Sequence, residues 1–232
     1  MRGAPFAKSG TFCCVSFSFR IKICGITSEE VARAAIDAGA DQLGLVLCAS
    51  PRRVSAERAA LLVAGVPASW VGVFVDPSLE EVARAAGELG LAAVQLHGGE
   101  TPAFCRAVRE RTGVPVWKAI TPSGFEPAAA YEAAVDAILL DAGPGGTGRT
   151  LEWSAVGARF PRVRRVVPHL LAGGLSPSNV ARAIREARPD GVDASSGLEV
   201  APGIKDPRLV SEFVREARAA GGAPESGLAE AA

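Results

Sequence analysis

The feature that most constrains this chain is a repeated alternation. From Arg20 onward a short apolar run is followed by an alanine-rich amphipathic segment, and the pattern recurs eight times. The runs are RIKIC (20–24), QLGLVL (42–47), WVGVFV (70–75), AAVQLH (92–97), PVWKAI (115–120), DAILLD (136–141), RVVPHLLA (165–172) and GVDAS (191–195). Many of the intervening segments open on a residue that can cap a helix: Ser28, Ser55, Ser78, Thr101, Ser176 and Asp206. Several close on glycine, as at Gly39, Gly65 and Gly90. Strand then helix, many times over, implies parallel strands. An open doubly wound sheet is the competitor. Eight units within about 200 residues fit a closed barrel better. The reading is therefore an α/β protein, a single-domain (β/α)8 TIM barrel. Pro168 falls inside the seventh run and argues against a central strand at that point.

Composition narrows the function classes. The 232 residues include 25 basic and 25 acidic side chains, so the net charge is zero. A nucleic-acid binder usually carries a basic surplus, so nucleic acid is not an expected partner. No apolar stretch has the length needed to cross a bilayer, so no membrane partner is expected. Five cysteines without a CxxC pair, and two distant histidines, offer neither a disulfide framework nor a metal-ligand spacing. The expectation is a cytoplasmic protein without metal. Residues 1–19 lack the texture of the rest and read as a disordered extension. The barrel is assigned to 20–220, and 221–232 to a disordered tail.

In a barrel of this kind catalytic groups sit at the C-terminal ends of the strands. Polar residues fall there. Cys24 closes the first run, His97 the fourth and Asp141 the sixth, and Asp193 lies in the eighth. Pleat alternation sets Lys22 one layer below Cys24, and Gln95 with His97. Three clusters of small residues follow the late runs: Gly145, Gly146 and Gly148; Gly173 and Gly174; Ser195, Ser196 and Gly197. Uncrowded backbone N–H groups there make an anion site, which implies a phosphorylated small-molecule substrate. Residues 143–150 also have Walker spacing, but Arg149 stands where a compact lysine is needed.

Seven stretches, KICGIT (22–27), GLVLCASPRRVS (44–55), VGVFVD (71–76), VQLHGGE (94–100), ILLDAGPGGTGRTLEW (138–153), LAGGLSPSNV (171–180) and VDASSGLEVAPGIKD (192–206), together resemble the phosphoribosylanthranilate isomerases of tryptophan biosynthesis. The resemblance runs from about Arg20 to Arg218. It implies a cofactor-free Amadori rearrangement on a (β/α)8 barrel. It makes Cys24 the general base and Asp141 the general acid. Arg52 becomes the ligand of the anthranilate carboxylate, and the late glycine loops become the phosphate site. The sequence departs from the family pattern at Arg149, Leu151–Glu152 and Arg53, which bears on the phosphate loop and leaves the catalytic pair intact.

The chemistry sets requirements. The acid must hold a proton near neutrality, so Asp141 should be buried. The base must ionise, and Lys22 is expected to favour the thiolate. His97 and Asp193 are expected to line the pocket. Cys48, Cys105, Trp117 and Trp153 read as packing or pocket-wall residues. A cysteine ending an apolar run is also what a buried packing thiol looks like. Monomer and homodimer are both open.

Overall fold

The computed structural model describes residues 18–121, 128–142, 152–159 and 166–221. The strands are β1 Arg20–Cys24, β2 Gln42–Val46, β3 Trp70–Phe74, β4 Ala93–Leu96, β5 Val116–Ile120, β6 Ala137–Leu140, β7 His169–Leu171 and β8 Gly191–Ala194. All pair in parallel with their neighbours in chain order, and β8 closes onto β1. The expected (β/α)8 barrel is what the chain forms. The helices are α1 Glu29–Asp37, α2 Ala56–Gly65, α3 Leu79–Leu89, α4 Pro102–Thr112, α5 Ala128–Glu132, α6 Trp153–Arg159, α7 Val180–Ala187 and α8 Pro207–Gly221.

Local chemistry explains half of the helix starts. The side chains of Ser28, Ser55, Ser78 and Thr101 each accept a backbone N–H of the first turn, and Ser78 with Glu81 forms a full capping box. Ser176 does not cap α7. Its hydroxyl faces Ser178, and the turn it begins ends at Asn179, which precedes the helix without a side-chain cap. The seventh run also differs from expectation. Pro168 stands just before β7, where its missing N–H costs nothing and its carbonyl still accepts from Ile138 at 3.0 Å. Phe19, expected within the disordered extension, packs against the core beside α8, and its carbonyl accepts from Arg218 at 3.3 Å.

Two cores follow from the pleat. Outward residues such as Ile21, Ile23, Leu43 and Ile138 pack under the helices with Val210, Phe213 and Val214 of α8. Inward residues fill the barrel: Val71, Ala93, Trp117, Ala119, Leu139 and Leu170. Above that plug the interior turns polar. A small layer of Cys24, Val46 and Val73, with Cys48 against it, marks the C-terminal mouth. After β8 the chain makes a single 3-10 turn, Ser196–Leu198, and an antiparallel hairpin of β9 Glu199–Ala201 and β10 Ile204–Lys205.

Candidate active site

Register builds the site. Lys22 on β1 stands opposite Asp193 on β8, and both side chains point into the barrel. Lys22 Nζ donates to Asp193 Oδ1 at 3.0 Å, with Lys22 fully buried. Two residues on, Cys24 reaches the mouth and is 7% exposed. The neighbouring position on β2 is Gly44. A methyl group there would lie 2.9 Å from Cys24 Sγ and 3.1 Å from Lys22 Nζ. The bare glycine is the clearance into which ammonium and thiol converge.

The electrostatics differ in one respect from expectation. Burial pushes the Cys24 thiol up, and the Asp193 carboxylate adds to that; Lys22 and Lys205 pull it down but do not win. Lys22 was expected to leave a thiolate, but it divides its charge between thiol and carboxylate. Burial alone would lower Lys22, yet Asp193 and Cys24 raise it above the usual lysine range, so it stays an ammonium. Burial also raises Asp193, against the pull of Lys22.

Asp141 follows β6 and is buried, with its backbone N–H donating to Ile120 O at 2.9 Å. Its Oδ2 stands 3.4 Å from His97 Nε2. His97 Nδ1 lies 3.2 Å from the Gln95 side-chain nitrogen. In this orientation the Gln95 amide N–H donates to Nδ1, which leaves Nε2 to carry an N–H toward Asp141. Strands β7 and β8 separate Asp141 from Cys24, so the two groups flank the mouth from different sides.

Arg52 reaches the same rim. Gly25 ends β1 with φ +76°, a left-handed turn that glycine adopts without strain. A side chain there would strike Arg52 Cδ at 2.8 Å and Ser195 Oγ at 3.1 Å. Arg52 is not free in solvent: Glu199 takes its Nε at 2.7 Å and its Nη2 at 2.9 Å. Glu199 also accepts from Lys205 Nζ at 3.0 Å, and Lys205 donates to Ser195 O at 3.1 Å. Arg52 and Lys205 outweigh burial and hold the Glu199 carboxyl below its usual range. Burial takes Lys205 below its own. Sequence reasoning missed Glu199 and Lys205. The signal was an acid and a base six residues apart within a motif whose turn returns to the rim.

Gly173 and Gly174, with φ +85° and +65°, follow β7 after Ala172. A side chain on Gly173 would come within 3.0 Å of Asp141 Oδ1, so this loop abuts the acid. Ser195, Ser196 and Gly197 follow β8, and Gly197 packs on the Leu175 backbone. Gly145, Gly146, Gly148 and Arg149 lie outside the described residues. Cys105 lies on the buried face of α4, its thiol raised to about 11 by burial, while Cys48 is half-buried at the rim. Trp117 fills the barrel interior. Trp153 is buried on α6, with the Arg182 guanidinium 5.6 Å from its ring. Among the described residues no helix is long and apolar enough to cross a membrane, and no cluster of His, Cys, Asp or Glu could hold a metal ion.

Comparisons with known proteins agree with the barrel fold. The family described as N-(5'phosphoribosyl)anthranilate (PRA) isomerase matches residues 21–216. An N-(5'-phosphoribosyl)anthranilate isomerase of Pelobacter propionicus is 45% identical over 206 residues, covering 86% of this chain and 95% of the relative. A monomeric form of the dimeric phosphoribosylanthranilate isomerase of Thermotoga maritima superposes with a TM-score of 0.77 at 38% identity, covering 87% of this chain and 99% of that one. A further phosphoribosylanthranilate isomerase, solved with reduced 1-(o-carboxyphenylamino)-1-deoxyribulose 5-phosphate, gives a TM-score of 0.76 at 37% identity, covering 87% of this chain and 99% of that one.

Proposed function

The chain belongs to the N-(5'-phosphoribosyl)anthranilate isomerase family, and from that premise we propose that Cys24 and Asp141 carry its proton transfers. The reaction converts N-(5-phosphoribosyl)anthranilate into 1-(2-carboxyphenylamino)-1-deoxyribulose 5-phosphate, a step of L-tryptophan biosynthesis. The observation that carries the residue assignment is the position of Cys24 and Asp141 at one barrel mouth, on strands three apart around the barrel.

Asp141 delivers a proton to the furanose oxygen as the ring C–O bond breaks. The aniline nitrogen supplies the electrons and becomes an iminium. The sugar C2 proton is then acidic, and the Cys24 thiolate removes it. The resulting enolamine tautomerises to the ketone. One acid and one base on different sides of the sugar suffice. His97, with Nε2–H toward Asp141, orients the acid and favours its carboxylate once the proton has left. Arg52 binds the anthranilate carboxylate through the guanidinium edge that Glu199 leaves open. The loops at Gly173–Gly174 and Ser195–Gly197, together with the segment containing Gly145, Gly146 and Gly148, take the phosphate. Asp193 acts from below, through Lys22. No cofactor enters the scheme.

The enzyme is proposed to be cytoplasmic, in keeping with free thiols at Cys24, Cys48 and Cys105. It acts as a monomer or homodimer; the T. maritima relative is a dimer. Steady-state kinetics test the assignment. Cys24→Ser and Asp141→Asn should each lower kcat by about 10²- to 10⁴-fold with KM little changed. Near-normal kcat in a folded Cys24→Ser enzyme removes the thiol from the mechanism.

A further inference from the structure

A base buried beside a carboxylate has to find somewhere to put its own proton. Three ionisable groups share the space under the mouth. Lys22 and Cys24 come from β1, and Asp193 from β8. The facing position on β2 is Gly44, which brings no charge, and Val46 and Val73 complete the layer. Lys205 on β10 also acts on the thiol, but its ammonium is bonded to Glu199 and Ser195 O. Asp141 and His97 act on Asp193 from beyond. Among the described residues Lys22 is therefore the one cation that reaches both Cys24 and Asp193: 3.0 Å from Asp193 Oδ1, and within about 3 Å of the same empty point beside Gly44 as Sγ.

One ammonium cannot balance two buried anions. A second anion held close beside the first in a site screened from water is strongly disfavoured. With Lys22 charged, the low-energy states keep one proton between Sγ and the carboxylate. We propose that Cys24 and Asp193 share a single proton across Lys22, so that the thiolate forms by handing its proton to Asp193. Lys22 gives one N–H proton to Asp193 Oδ1 and takes the thiol proton in its place. It ends as it began, an ammonium; Sγ becomes thiolate and the carboxylate becomes a carboxyl group. Charge under the mouth does not change. After the C2 proton has been taken, the pair holds one proton too many and Asp141 one too few, and solvent restores both when product leaves. In this scheme Lys22 and Asp193 are positioning residues acting through Cys24, and Gly44 is the clearance that lets them do so.

This inference deepens the reading of Cys24 as the base, but its test does not depend on turnover. The rate of Cys24 alkylation by iodoacetamide is followed by peptide mass spectrometry in wild type, Asp193→Asn and Lys22→Met. Asparagine keeps the shape but accepts no proton and carries no charge, so the thiolate becomes the sole anionic partner of Lys22. A tenfold rise in thiolate fraction gives back about threefold through the lower nucleophilicity of a more acidic thiol. Asp193→Asn should therefore alkylate at least about threefold faster than wild type at pH 7, and Lys22→Met should be slower than wild type. A smaller acceleration in Asp193→Asn overturns the proposal. Should either variant fail to fold, wild type decides. Thiolate absorbance near 240 nm and the 13Cγ shift of Asp193 should titrate with the same two midpoints, and two unrelated single-step curves overturn it. If Cys24→Ser keeps its kcat, the base assignment falls, while alkylation still reports on the shared proton.

Discussion

Lys22 and Lys118 are both strand lysines, both buried, and each is paired with a carboxylate at about 3 Å. Their surroundings divide them. Lys118 points outward from β5 into the layer under the helices. It donates to Gly98 O at 2.7 Å, to Leu96 O at 3.4 Å and to Glu100 Oε2 at 2.9 Å. Glu100 in turn accepts from the backbone N–H groups of Asp76 and Gly98. The three partners lie at the end of β4 and in the loop after it, Glu100 ties in the loop after β3, and all three ammonium N–H groups are used. Lys22 points inward and has one carboxylate oxygen, one thiol and a glycine. A saturated ion pair fixes a loop; an under-supplied one leaves charge for a reacting group.

Removing each lysine's role should separate the two most sharply. Lys22→Met takes away the cation opposite Cys24, and kcat should fall by about 10²-fold or more, the lower end of what a proton-transfer group contributes. Its stability cost should be small for a buried pair, because Asp193 can keep a proton. Glu100→Ala should show the reverse pattern. It strands Lys118 and three loop contacts, and unfolding by urea should report a loss of about 3–5 kcal/mol, the range for breaking a buried pair. Its kcat per folded molecule should stay within about threefold of wild type. A Glu100→Ala enzyme that is stable but inactive would erase the distinction.

Gly44→Ala sharpens the comparison without removing a charge. Its methyl group would sit against Sγ and Nζ and force them apart. The expected loss in kcat is about tenfold, one pK unit of thiol ionisation, with KM near wild type.

Acid titration tests a third buried cluster. Arg52 and Lys205 hold the folded-state pKa of Glu199 below its unfolded value. That group contributes stability above the ordinary glutamate range, near about 4.3, and loses it as pH falls through the folded value. Asp193 has the opposite sign. Its folded pKa is raised, so its contribution is complete below the ordinary aspartate range and is lost as pH rises through the folded value. Stability measured from pH 6 down to 3 should therefore fall less steeply in Glu199→Gln than in wild type, and more steeply in Asp193→Asn. The smallest effect expected is Thr101→Ala, which removes the α4 cap that accepts from Phe104, at about 1 kcal/mol and with no change in kcat.

Much of this molecule is written locally. Period-two apolar runs, hydroxyl caps at Ser28, Ser55, Ser78 and Thr101, and glycine stops are short-range physics, so the barrel and the strand-end positions of Cys24 and Asp141 were legible in one dimension. So was the setting of Lys22 below Cys24, since pleat alternation is a property of a single strand. Partnership was not. Lys22 and Asp193 are 171 residues apart, and Arg52 and Glu199 are 147 apart. They meet only because the barrel closes β8 onto β1 in one register and the β9–β10 hairpin folds back over the rim. The sign of the Cys24 shift depended on the same closure. An isolated K-x-C strand suggests a cation favouring thiolate; the closed barrel adds burial and a competing carboxylate, and together they outweigh the cation. A sequence fixes which side chains a strand offers to its inner face. Which charges share a desolvated space, and hence where the proton sits, is decided by long-range contacts that only tertiary structure creates.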